Sequence, residues 1–101
     1  MTKKTKVSEL PEFDLADHLQ TDEDIAEYLS QVLEEGDAAE FADALGQIAR
    51  IRGMAEIAER AGITREALYK ALRPDSQPRL DTVKRVCEAL GVKLIAIRQG
   101  A

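Results

Sequence analysis

Apolar residues recur along this chain at helical spacing in short blocks, each opened by a capping residue and closed by glycine. Thr21 opens the first clear block. Its hydroxyl can accept from the helix start, Asp24 stands three residues on, and Asp22 and Glu23 favour the positive end of the dipole. Ile25, Tyr28, Leu29, Val32 and Leu33 then form one stripe, ended by Gly36. Asp37 with Glu40 repeats the opening, and Phe41, Leu45, Ile48 and Ala49 are expected to face inward up to Gly53. Two short helices follow in MAEIAERAGITREALYKAL, residues 54–72, separated by Gly-Ile-Thr. Pro74, Asp75, Ser76 and Pro78 mark a loop, a fifth helix is predicted from Leu80 to Leu90, and Gly91 stops it.

The two ends of the chain read differently. Residues 1–12 lack periodicity and are expected to form a mobile tail. FDLADHL, from Phe13, places Phe13 and Leu15 on one side of an extended segment. VKLIAIR, from Val92, is short and β-branched and reads as a strand. A lone strand cannot satisfy its own backbone. It must pair with FDLADHL, with its twin in a second chain, or with a partner protein, which makes a homodimer the leading expectation. The predicted fold class is therefore all-α, with five helices and a short C-terminal β-strand, in a single domain over residues 13–101.

Composition sharpens this picture at one point. The 101 residues carry a formal charge of -5, unevenly distributed. Residues 1–49 hold 3 basic and 13 acidic residues, giving -10, and residues 50–101 hold 11 basic and 6 acidic, giving +5. The first half invites a basic partner and the second a polyanion. A chain of this length buries about 65% of its unfolded surface and folds without staples. No apolar run approaches the ~18 residues of a membrane span, and MTKKTKV has no apolar stretch behind it, so no membrane association or export is expected. The single cysteine, Cys87, lies among Val83, Val86 and Leu90 and reads as a buried hydrophobe in a reducing cytoplasm.

The information sits in residues 54–72. Ile57 and Ala61 point one way, Ala58 is small enough for a close helix crossing, and Gly62 suits the positive φ of a tight turn. Ile63 plugs the turn, Thr64 caps the next helix with Ala67 where a reciprocal acid would sit, and Leu68 and Leu72 anchor it. Arg65, Glu66, Tyr69 and Lys70 remain outward, with Arg73 at the end. In a DNA-reading helix-turn-helix the N-terminal residues of the second helix reach base edges. Thr64, Arg65, Glu66 and Tyr69 are the base-edge candidates, because arginine pairs with guanine and glutamate accepts from cytosine. Lys70, Arg73, Arg79 and Lys84 are the phosphate candidates, the last two flanking a helix N-terminus.

The sequence RGMAEIAERAGITREALYKALRPDSQPRLDTVKRVCEALGVKL resembles the Cro/C1-type helix-turn-helix of the probable addiction-module antidote proteins, related to HigA-type antitoxins. The upstream pattern LADHLQTDEDIAEYLSQVLEEGDAAEFADALGQIAR shares the likeness, which covers most of residues 13–95. The resemblance implies an antitoxin that neutralises a small, basic RelE-type ribonuclease toxin and represses its own operon. Met54 stands where many such domains carry a phosphate-holding glutamine, and Arg79 where a Ser or Thr cap often precedes the next helix. The acidic half is the expected toxin surface, with Asp14, Asp17, Asp22 and Asp24 as partner contacts.

Other chemistry finds little footing. His18 is the only histidine, so no histidine pair exists for a metal site or a triad. Asp22-Glu23-Asp24 and Glu34-Glu35 lie at helix ends and lack the spacing of a calcium loop. No phosphate-binding glycine loop or nucleophile motif is present, so neither enzyme activity nor a cofactor is expected. Two other readings stay open beside the antitoxin: a stand-alone Cro/C1-like regulator without a toxin, and a protein-interaction module that no longer binds DNA.

Overall fold

The computed structural model describes residues 11–73 and 75–100, with the side chains of Glu12 and Phe13 excepted. The expectation of a mobile tail falls outside these residues up to position 10, as does that for the side chain of Phe13. Six α-helices are found among the described residues: α1 (Glu12–His18), α2 (Asp22–Glu35), α3 (Ala38–Arg52), α4 (Met54–Ala61), α5 (Arg65–Ala71) and α6 (Leu80–Ala89).

The sixth helix is the one the pattern missed. FDLADHL is not extended but forms the body of α1. Leu15 and Leu19, at i and i+4, are both buried, and that pair, rather than Phe13 and Leu15, sets the period. Pro11, at φ -56°, leads into the helix, and its carbonyl accepts from Leu15 N at 2.9 Å. At the other end, residues 92–98 form no strand among the described residues. The segment that was to pair with them is helical, so one of the three expected partners does not exist.

The two reciprocal caps form as the sequence predicts. Thr21 Oγ1 accepts from Asp24 N at 3.0 Å while Asp24 Oδ2 accepts from Thr21 N at 3.2 Å. Asp37 Oδ1 accepts from Glu40 N at 2.9 Å, and Glu40 Oε1 accepts from Asp37 N at 3.3 Å. These boxes satisfy donors that the first turn of a helix leaves orphaned. Gly62, at φ 74°, ends α4: its N–H donates to Glu59 O at 3.1 Å, and Ile63 N donates to Ala58 O at 3.0 Å. This is a Schellman motif, and it turns Ile63 back onto the core.

One continuous apolar core joins all six helices. α2 packs on α3, α1 on α3, and α4 touches α3, α5 and most extensively α6. α4 is thus the hub, and Ile57, Ala58 and Ala61 on its inner face are buried as predicted. Tyr28 donates its hydroxyl to Gln47 Oε1 at 2.8 Å, and burial, reinforced by Asp43, pushes its pKa up to about 12. Cys87 is a free, buried thiol whose pKa burial raises to about 11, in keeping with a packing role. Leu33 departs from expectation: it lies 50% exposed, about 100° round the helix from the buried Val32.

Candidate functional site

The pair α4–turn–α5 holds the residues singled out for recognition. α5 is short, and its geometry is fixed at three places. Thr64 Oγ1 accepts from Ala67 N at 3.0 Å, the half cap the sequence predicts. Leu68, with no exposed surface, and Leu72, at 5%, bury the inner side. The loop that follows is tied back by Ser76, whose hydroxyl donates to Ala71 O and whose N–H donates to Arg73 O at 3.0 Å.

That anchoring leaves Arg65, Glu66, Tyr69, Lys70 and Arg73 on the exposed surface. The Arg65 guanidinium sits 5.6 Å from the centroid of the Tyr69 ring. A cation held over an aromatic face at this distance is attracted to it, at about 0.5–1 kcal/mol for an exposed pair. Arg65 therefore rests on its i+4 neighbour, partly preorganised and still open to solvent. Tyr69 is 43% exposed, a large aromatic edge beside a charged head. Together these groups offer bidentate donors, an acceptor and a stacking face on one side of a capped helix.

The phosphate candidates lie further along. Arg79 immediately precedes α6 and gives no side-chain cap to it; its guanidinium instead approaches Asp81 Oδ1 at 3.5 Å, both groups largely exposed. Lys84 is exposed on α6. Over residues 64–85 the chain carries six basic side chains against three acidic ones, so this surface is basic by 6 - 3 = +3. Met54 is 7% exposed and belongs to the core, so it takes no part in this surface.

The four candidate acids of the first half do not form one cluster of free carboxylates. Asp24 is occupied by its own helix: its Oδ2 accepts from Gln20 N at 3.0 Å as well as from Thr21 N, and these backbone donors hold its carboxyl below the ordinary value. Asp22 lies against Gly91 and lines a polar cleft of about 350 Å³ with Arg52, Glu56, Arg60 and Glu88. Asp17 Oδ1 accepts from Gln20 Nε2 at 3.2 Å, and Asp14 is exposed. In the same cleft Glu56 and Arg60 pair at 3.1 Å across one turn of α4.

Sequence reasoning missed an apolar groove of about 530 Å³ between the α2–α3 corner and the start of α6. Leu33, Phe41, Pro78, Leu80, Val83 and Leu94 supply its walls. Leu80 stands i-3 from the buried Val83 and is nonetheless 69% exposed. The signal available in the sequence, an apolar residue at helical spacing, predicted burial rather than a surface. No helix among the described residues is long and apolar enough to cross a membrane.

Residues 9–98 match the family model described as probable addiction module antidote protein. The chain is 45% identical over 85 residues to an uncharacterized protein of Haemophilus influenzae (strain ATCC 51907 / DSM 11121 / KW20 / Rd), covering 84% of this chain and 88% of that one. No solved structure matches it.

Proposed function

The chain belongs to the probable addiction module antidote protein family, and we propose that it acts as an antitoxin whose helix-turn-helix, residues 54–72, also binds operator DNA. The antitoxin role follows from the family, which implies a toxin as partner. The observation that carries the DNA-binding part is the two-sidedness of α5. Leu68 and Leu72 lock one side into the core, while Arg65, Glu66, Tyr69 and Lys70 lie exposed behind a capped N-terminus.

In this reading α5 enters the major groove N-terminus first. Arg65 contacts a guanine edge, with Glu66 and Tyr69 beside it, and Thr64 holds the helix end. Lys70, Arg73, Arg79 and Lys84 take phosphates and set register without reading sequence. Two copies place their recognition helices about 34 Å apart on a near-palindrome, and repression of the chain's own operon follows from occupancy of that site. The acidic half, net -10, steers a small basic toxin of RelE type. Asp14, Asp17 and Asp22, all exposed, are the more available contacts there, since Asp24 is tied into the α2 cap.

The test is operator binding by Arg65→Ala and Lys70→Ala. The first should relax specificity at one base pair per half-site by about 1–3 kcal/mol. The second should weaken all sequences alike and lower the salt slope by roughly one charge per half-site. Both variants should still protect cells from the toxin. Unaltered operator binding by the folded double variant would defeat the reading.

A further inference from the structure

Of the large hydrophobic residues exposed on the described surface, four gather in one region. Leu33 and Leu80 line the apolar groove, and Ile95 and Ile97, 76% and 80% exposed, follow directly on its wall residue Leu94. Among the described residues the backbone of the same segment has no hydrogen-bond partner. Gly91, at φ 86°, and Val92 close α6 by donating to Glu88 O and Cys87 O, and beyond them residues 93–100 make no hydrogen bond among the described residues. Apolar β-branched side chains and a free row of donors and acceptors thus coincide, the combination that templates strand pairing.

We propose that residues 93–97 pair with the same residues of a second copy as an antiparallel two-stranded ribbon centred on Ile95, beside the apolar groove. This deepens the proposed function, resting on its homodimer. Antiparallel pairing about Ile95 sets Lys93 opposite Ile97, Leu94 opposite Ala96 and Val92 opposite Arg98. Every cation then faces an aliphatic side chain, whose surface the lysine or arginine stem can cover. A parallel register would set Lys93 against Lys93 and Arg98 against Arg98, which like-charge repulsion disfavours. Charge also separates the candidate occupants. Residues 89–101 contain two cations and no acid, so a basic protein is repelled from this edge, whereas a second copy carries a net charge of -5 and meets the two cations with aliphatic side chains in the antiparallel register. Leu94 belongs both to the segment and to the groove wall, so a copy paired on the segment lies beside the groove that Leu33 and Leu80 line.

The full chain, without DNA or toxin, is the sample for the test. Light scattering should return twice the 11.1 kDa chain mass. Ile95→Asp with Ile97→Asp should raise the dimer dissociation constant by at least ~100-fold while the helical circular dichroism is retained. Ile95→Cys gives a second measurement that needs no destabilising change. Facing residues of an antiparallel pair lie about 4.5–5.5 Å apart at Cα, within the span of a disulfide. Mild oxidation should therefore cross-link Ile95→Cys rapidly and leave the exposed α2 control Ala26→Cys largely uncross-linked; the buried Cys87 thiol stays silent. A monomer at near-millimolar concentration would overturn the proposal, and so would a dimer that ignores the aspartates and fails to cross-link at position 95. Strand capture by the toxin alone would show as a monomer that orders residues 93–97 only in the complex, again against it. Operator binding is read separately: a ribbon dimer indifferent to DNA refutes the recognition surface and leaves the ribbon standing, and the reverse result does the opposite.

Discussion

α2 and α3 begin on Thr21 and Asp37, each closed by a reciprocal acid, whereas α4 and α6 begin on Gly53 and Arg79 with no side-chain cap. In the acidic half several charges are tied to helix ends. In the basic half Arg65, Lys70 and Lys84 stand exposed on helices held by apolar contacts and a single hydroxyl cap, and Arg73 stands exposed just beyond the end of α5. The contrast teaches where substitution should register as lost stability and where as lost binding. A carboxylate accepting backbone donors cannot change without disturbing its helix, while a cation resting on a neighbouring ring or in solvent can.

The largest effect should break the contrast from the apolar side. Leu68 is the one buried residue within α5, so Leu68→Ala should cost about 2–5 kcal/mol in urea unfolding and remove operator binding with it. Next come the caps. Thr21→Ala should lower stability by about 1 kcal/mol, and Asp37→Ala by a similar amount, with operator contacts intact once folding is saturated.

The same caps predict a pH dependence. The Asp24 carboxyl is held below its ordinary value of 3.8 by the Thr21 and Gln20 N–H groups. Its contribution is therefore full above that value and disappears as pH falls through the lower folded one. Thermal melts of Asp24→Asn should show a smaller loss of stability than the parent between pH 5 and pH 3. An equal loss in both proteins would remove Asp24 from the account.

The smallest expected change in stability sharpens the contrast. Arg65→Ala and Lys70→Ala should each move it by less than about 0.5 kcal/mol, the Arg65 change losing only an exposed stacking contact. If either unfolds the protein as Leu68→Ala does, then α5 is held by its charges, and their availability to a partner falls away.

What was legible in the sequence was local. Thr21 with Asp24, Asp37 with Glu40, the Gly62 turn and the Thr64 half cap all depend on side chains within a few residues of the backbone groups they satisfy, so spacing alone reveals them. The exposed face of α5 was legible for the same reason: Leu68 and Leu72 at i and i+4 leave the remaining positions of a short helix outward. Tertiary structure decided what spacing leaves ambiguous. Leu15 has partners at both i-2 and i+4, and only burial of Leu19 against the core chooses the helix for α1. Leu33 and Leu80 lie at helical spacing from buried residues, yet the edge of the packed surface falls short of them, and no local pattern records where a neighbouring helix ends. The segment from Lys93 was readable as strand-like by its side chains, but a strand exists only where a second backbone supplies its hydrogen bonds, and α1, being a helix, does not.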